Sequence, residues 1–168
     1  MNLFDEETMK NLVIATKRPS FDDGMYHKLA IIAAGCLNID LSEEDEEEKE
    51  SILTTIKKVL YNNEYDGYQL GKDFDYYGFE IDASIVSELD CLHVVKNNIL
   101  NEAIEAWVIS NYIEPKLRIG DKVKCEIKGK LTDGEIVDIN IKRAYYIVKT
   151  IDYVGNGGYI IKYEDIKL

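Results

Sequence analysis

Residues 116–129 read KLRIGDKVKCEIKG, and within them Val123, Cys125 and Ile127 alternate with Lys122, Lys124, Glu126 and Lys128. Side chains of a strand point alternately to its two faces, so this period of two predicts a half-buried strand with a charged outer side. Upstream the apolar residues recur at helical spacing, so the chain changes architecture here. Downstream, Asp133-Gly134 is expected as a turn before Glu135-Ile136-Val137-Asp138-Ile139-Asn140-Ile141. Ala144 to Thr150 is rich in Tyr, Ile and Val, and Asn156-Gly157-Gly158 leads into Tyr159-Ile160-Ile161-Lys162-Tyr163. Four short strands with tight turns in about 50 residues predict a small antiparallel barrel, because closing a sheet removes its exposed edges.

The residues before Pro115 predict helices. Asp5 to Ala15 is a short one, with acids in its first turn and Lys17 and Arg18 at its end, stopped by Pro19. Phe21-Asp22-Asp23-Gly24 is a turn or cap, after which Leu29, Ala30, Ile32, Ala33 and Cys36 form one face of a helix over Tyr26 to Leu37. Ser42 is the expected N-cap of the next, with Asp45 where a capping box would carry Glu or Gln, and Ile52, Leu53, Ile56, Val59 and Leu60 as its buried face up to Tyr61 and the stop at Asn62-Asn63. Asp66-Gly67 opens a short amphipathic helix bearing Tyr68, Leu70, Phe74 and Tyr77, closed by Gly78 in the left-handed conformation. Asp82 caps a long periodic stretch from Ala83 to about Asn111, with a break expected near Asp90.

The 168 residues suffice for one domain or two small ones, and the formal net charge is −12. Met1 to Glu114 holds 24 acids and 9 bases, a net of −15; Pro115 to Leu168 holds 8 acids and 11 bases, a net of +3. General binding of duplex nucleic acid by phosphate neutralisation is disfavoured for the first part and stays open for the second. No apolar run reaches the 18 or so residues of a membrane span, and the acid-rich start is unlike a secretory signal, so a soluble, cytoplasmic protein is expected. Two His and three scattered Cys leave little material for common catalytic or metal constellations.

The order IGDKV, DGEIVDI, AYYIV, YEDIKL, over about Leu117 to Leu168, resembles the SH3-like barrels of the Tudor and KOW type. Residues 65–90, YDGYQLGKDFDYYGFEIDASIVSELD, are similar to stretches of small uncharacterised bacteriophage proteins that end in such a barrel. These resemblances imply an α+β protein with an acidic helical domain over residues 1–113 and an SH3-like antiparallel β-barrel over residues 114–168. The resemblances carry neither an activity nor a catalytic residue across; a phage-encoded protein that docks on a host or defence protein in the host cytoplasm is the expectation from the charge asymmetry and the absence of catalytic spacing.

Two candidate binding surfaces follow. Ser42 to Glu50, SEEDEEEKE, is a solvated first helical turn, or it docks a basic host or defence protein through Glu43, Glu44, Asp45, Glu46, Glu47 and Glu48, in imitation of a phosphate backbone. On the barrel, Lys124, Lys142, Arg143, Tyr145, Tyr153 and Tyr159 combine cations with rings, as single-stranded nucleic acid requires, although Tyr146 or Tyr145 must fill the core by strand alternation. A methyl-cation cage would need three converging rings, which alternation does not supply.

Other constellations fail on spacing. Asp73-Phe74-Asp75-Tyr76-Tyr77-Gly78 opens like a calcium loop, but its fifth position is Tyr77 and its twelfth Ser84. Cys91 and His93 are two apart on a helix and face different ways, and no zinc spacing exists. Gly155, Gly157 and Gly158 lie between strands with no helix to follow, which is hairpin chemistry and not a phosphate cradle. No cofactor, metal or catalytic residue is expected, an enzyme reading rests only on the many carboxylates, and no oligomeric state is assigned.

Overall fold

A computed structural model describes residues 17–61 and 66–166; the helix expected over Asp5 to Ala15, the stop at Asn62-Asn63 and the last two residues of YEDIKL lie outside them. The described chain is α+β, with helices α1 (Asp23–Cys36), α2 (Glu46–Tyr61), α3 (Gly67–Tyr76), α4 (Ala83–Leu89) and α5 (Leu92–Ser110) followed by strands β1 (Lys122–Ile127), β2 (Lys130–Asn140), β3 (Tyr145–Thr150) and β4 (Tyr159–Lys162). Contacts divide it into two compact units: a helical unit of Pro19–Glu102, and a sheet unit of Arg18 with the residues from Ala103 on. The compositional boundary expected at Pro115 does not coincide with this division, which falls inside α5. The last turns of α5 go with the sheet because Glu105 accepts a hydrogen bond from Arg143 Nε at 2.9 Å and Trp107 lies 5.3 Å beneath the Arg18 guanidinium.

In the helical unit an aspartate starts each of α1 to α4, supplying an oxygen to backbone N–H groups that the first turn leaves unpaired. Asp22 accepts from Met25 N at 2.9 Å, Asp45 from Glu47 N and Glu48 N at 3.0 and 2.9 Å, Asp66 from Gln69 N at 3.0 Å and Asp82 from Ile85 N at 2.9 Å. Asp45 therefore caps α2 in place of the expected Ser42, whose hydroxyl donates to the Asp40 carboxylate at 2.6 Å. Ser42 N donates to the same Asp40 oxygen, so Ser42 belongs to a turn that ends before the helix starts at Glu46. Gly78 closes α3 at φ 89°, and the long periodic stretch breaks at Asp90-Cys91.

The core of this unit joins Leu29, Ala30, Ala33 and Ala34 of α1 to Leu53, Ile56, Val59 and Leu60 of α2, Leu70 and Phe74 of α3, and Ile85, Leu89 and Leu92. Ile32 and Tyr68, expected on apolar faces, are exposed instead. In each case a small residue takes the inward arc: Ala33 and Ala34 in α1, Gly67 and Gly71 in α3. Gly35 meets nothing within 4 Å, so Gly35→Ala is expected to stabilise the chain by about 0.5–1 kcal/mol.

The sheet unit is a curled antiparallel half-barrel in the order β1-β2-β3-β4. Its hairpin logic differs from that expected at Asp133-Gly134. The β1–β2 reversal is Lys128-Gly129, both at positive φ (51° and 77°), with Ile127 paired to Lys130 across a two-residue loop. Asp133 and Gly134 lie inside β2, where Gly134 sits between Val123 and Thr150. A Cβ on Gly134 would collide with Val148 Cγ1 and stand 3.1 Å from the Lys149 carbonyl. Gly134→Ala is accordingly expected to cost about 1–3 kcal/mol, opposite in sign to Gly35→Ala, when both are compared by urea unfolding.

Val123, Cys125, Ile136, Tyr146, Val148 and Ile161 form the sheet core. Tyr146, rather than Tyr145, is the buried ring, and its hydroxyl accepts from Lys116 N at 3.1 Å and Leu117 N at 3.2 Å, which ties the Pro115 linker to β3. The fourth strand expected over Tyr159 to Tyr163 is β4, and the chain leaves it in a 3-10 turn over Tyr163–Asp165.

Candidate binding surfaces

The acidic run lies where the sequence places it, at the start of α2. Glu43 and Glu44 occupy the turn before the helix, Asp45 caps it, and Glu46, Glu47 and Glu48 form its exposed first turn. Within the run, a shared hydrogen bond with Glu48, followed by the charge of Glu48, holds the Glu44 carboxyl above its ordinary value. Nearby, hydrogen bonds from Ser42 hold the Asp40 carboxyl below its ordinary value.

Charge in the helical unit is more one-sided than in the compositional half. Pro19–Glu102 contains 19 acids and 6 bases, a net of −13. At least five of those bases are engaged inside the unit. Lys49 pairs with Glu46 at 3.7 Å and Lys57 with Asp23 at 3.8 Å. Lys58 stands over the Tyr77 ring at 5.1 Å, Lys72 over Tyr68 at 4.6 Å, and Lys96 over Phe21 and Tyr26 at 5.1 and 5.2 Å. Five of the six ammonium groups are thus held next to an acid or a ring, which leaves most of the outward field to the carboxylates.

The six barrel residues do not gather into one face. Strand register separates them: Tyr145 pairs with Lys162 and Asn140 at one end of β3, next to the turn carrying Lys142 and Arg143, whereas Tyr159 pairs with Val148 towards the other end. Arg143 is committed to Glu105, and the Tyr145 hydroxyl accepts from Asn140 Nδ2 at 3.0 Å. At the other end Tyr153 and Tyr159 meet edge to face, 5.1 Å apart. Tyr159 packs against the sheet core, and Tyr153 lines an open groove of about 790 Å³ with Lys122, Lys124, Lys149, Val137 and Ile151. Cations in that groove face acids across the sheet: Lys124 lies 3.7 Å from Asp133, and Lys122 pairs with Glu135.

Sequence reasoning missed Arg18, which among the described residues of the sheet unit makes four side-chain hydrogen bonds. Its Nε donates to Glu164 Oε1 at 2.6 Å and its Nη1 to the Arg143 carbonyl at 2.9 Å. Nη2 donates to the Ala144 carbonyl and to Glu164 Oε2, the latter at 3.2 Å. Ala144 is buried at φ 50°, so the guanidinium secures a turn that L residues seldom adopt. Beside it the Tyr163 phenol is pushed up to about 12 by burial and by Tyr146, against the opposing charge of Arg18. A basic residue expected at a helix end carries no signal of such a role, since its partners are 125 to 146 residues away.

The remaining thiol and imidazole groups stand apart from these surfaces. Cys91 is exposed in the turn between α4 and α5, and His93 Nδ1 bonds to the Asp90 carbonyl at 2.7 Å. Burial raises the Cys125 thiol, and burial followed by the charges of Glu88 and Cys91 raises Cys36. Asp73 and Asp75, read as a failed calcium loop, are on α3, and no group of three or more His, Cys, Asp or Glu able to hold a metal occurs among the described residues. No helix among them is long and apolar enough to cross a membrane. The chain matches no protein-family model, and neither the curated proteins nor the solved structures contain a match to it.

Proposed function

We propose that the chain is a non-enzymatic binding protein whose acidic helical unit docks on the basic surface of another protein, with a C-terminal half-barrel of the SH3-like kind as its second module. The observation that supports this is the −13 concentrated in Pro19–Glu102, with at least five of six bases already taken up inside the unit. Capping explains four of the aspartates, Asp45 among them, and the helix dipole favours Glu46, Glu47 and Glu48 in the first turn of α2; Glu43, Glu44 and the rest of the excess have no such local role. A host or defence protein that itself binds nucleic acid has the required basic surface, and the acids then stand in for phosphates.

The test is a titration of the full chain with a small basic DNA-binding protein. Binding is expected at about 0.1 M salt, where the Debye length is about 10 Å, and is expected to be largely lost at about 1 M, where it is about 3 Å. Changing Glu43, Glu44, Glu46, Glu47 and Glu48 to Gln, with the Asp45 cap retained, is expected to weaken binding about tenfold or more at the lower salt, mainly by slowing association. Affinity that is the same at both salt concentrations refutes electrostatic docking.

The alternative reading, single-stranded nucleic acid on the half-barrel, draws on the groove that brings Tyr153 next to Lys122, Lys124 and Lys149. Cross-strand acids at Glu135 and Asp133 offset two of those three cations. Tight, strongly salt-dependent binding of a single-stranded oligonucleotide by the full chain would favour it over the docking reading.

A further inference from the structure

We propose that the outward face of α3, carrying Tyr68, Asp75 and Tyr76, is the part of the helical unit that selects its partner, and that it recognises an arginine-rich segment of a protein. This deepens the docking reading and rests on it.

The face follows from helical spacing. Gly67, Leu70, Gly71 and Phe74 are buried on one side of α3, which places Lys72 and Tyr76 opposite them and Tyr68 and Asp75 on the adjoining exposed flank. Tyr76 is 83% exposed and Tyr68 62%. Large rings so open to water bury little on folding, so core packing does not account for them. Tyr76 meets Tyr77 edge to face at 5.3 Å.

The rings of this region already hold cations: Lys72 stands over Tyr68 at 4.6 Å and Lys58 over Tyr77 at 5.1 Å. Their geometry and the local field therefore suit a positive charge over a ring face. The exposed carboxylate of Asp75 lies on the flank that carries Tyr68, next in sequence to Tyr76, and the surrounding unit carries −13. A guanidinium is planar, stacks on an aromatic face and accepts a carboxylate in plane at the same time; a lysine ammonium is more strongly hydrated and satisfies only the point-charge part. Charge complementarity therefore calls for a basic partner, and the two exposed rings add a preference for Arg over Lys.

The experiment compares fluorescein-labelled oligoarginine and oligolysine peptides of equal length, titrated with the full chain at about 0.1 M salt and followed by anisotropy. Oligoarginine is expected to bind about five- to tenfold more tightly. In the Tyr68→Leu/Tyr76→Leu variant, which keeps helix propensity at two exposed sites, that preference is expected to vanish while salt-dependent binding of both peptides persists. Equal affinity of the wild type for the two peptides, or a preference that survives in the double variant, overturns the proposal and leaves acidic docking standing. Failure of either peptide to bind the wild type at low salt overturns the docking reading and this proposal with it.

Discussion

Replacing Phe74 by Ala is expected to destabilise the helical unit by about 3–5 kcal/mol. The ring is fully buried in α3 and meets Phe79 edge to face at 5.6 Å, so truncation removes apolar contact from both sides and leaves a void beneath a helix of only 10 residues. A helix that short is marginal in water on its own, and the packed face is what holds it. The measurement is the urea midpoint of the helical signal, with Phe74→Leu as a companion expected to retain most of the stability because it keeps apolar bulk. An unchanged midpoint for Phe74→Ala would show that α3 is not held by its apolar face, and the outward orientation of Tyr68 and Tyr76 would lose its basis.

Arg18→Ala is expected to cost the sheet unit about 2–4 kcal/mol, since a side chain only 10% exposed leaves behind the Arg143 and Ala144 carbonyls and the Glu164 carboxylate without their donor. Arg18→Lys should recover less than half of this, because one ammonium cannot serve two carbonyls and a carboxylate in a fixed plane. There is a pH signature as well. Burial would raise the Glu164 carboxyl, but the hydrogen bonds and charge of Arg18 outweigh it and hold the carboxyl below its ordinary 4.5. A carboxyl with a lower pKa folded than unfolded contributes stability that is fully present above the unfolded value and is lost as pH falls through the folded one. Wild type should therefore lose stability more steeply than Arg18→Ala as pH falls below about 4.5, and identical acid limbs in the two proteins would rule out Arg18 as the cause of the shift.

Most of the elements were legible because each rests on short-range regularities. The alternation of Val123, Cys125 and Ile127 gave β1, and the helical spacing of Leu53, Ile56, Val59 and Leu60 gave α2. Turn chemistry was less transparent. Asp133-Gly134 carries a turn composition yet runs straight through β2, because Lys128-Gly129 already closes the hairpin and the sheet needs a residue without Cβ opposite Val123 and Thr150. The cap of α2 likewise lies at Asp45, which accepts from the first-turn N–H groups, while Ser42 is held by Asp40 in the turn before it.

Of the candidate surfaces, the acidic run was visible as it stands, since six exposed or half-exposed acids in sequence need no tertiary partner to lie together. The six barrel residues were visible only as a composition. Register sent Tyr145 and Tyr159 towards opposite ends of β3, and cross-strand pairing gave Lys122 and Lys124 to Glu135 and Asp133.

By itself, then, the sequence determined the α-then-β order, the change of period before Lys122 and the excess of acid ahead of it, all of which are properties of neighbours a few residues apart. Tertiary structure decided which of the remaining charges are spent, beyond the within-helix pairs Lys49–Glu46 and Lys72–Tyr68. It set Arg18 against Glu164 across 146 residues, Arg143 against Glu105 across 38, and Lys58 and Lys96 over rings outside their own helices. Such pairings depend on where chain reversals bring distant groups within about 3–5 Å, and neither periodicity nor composition records that distance.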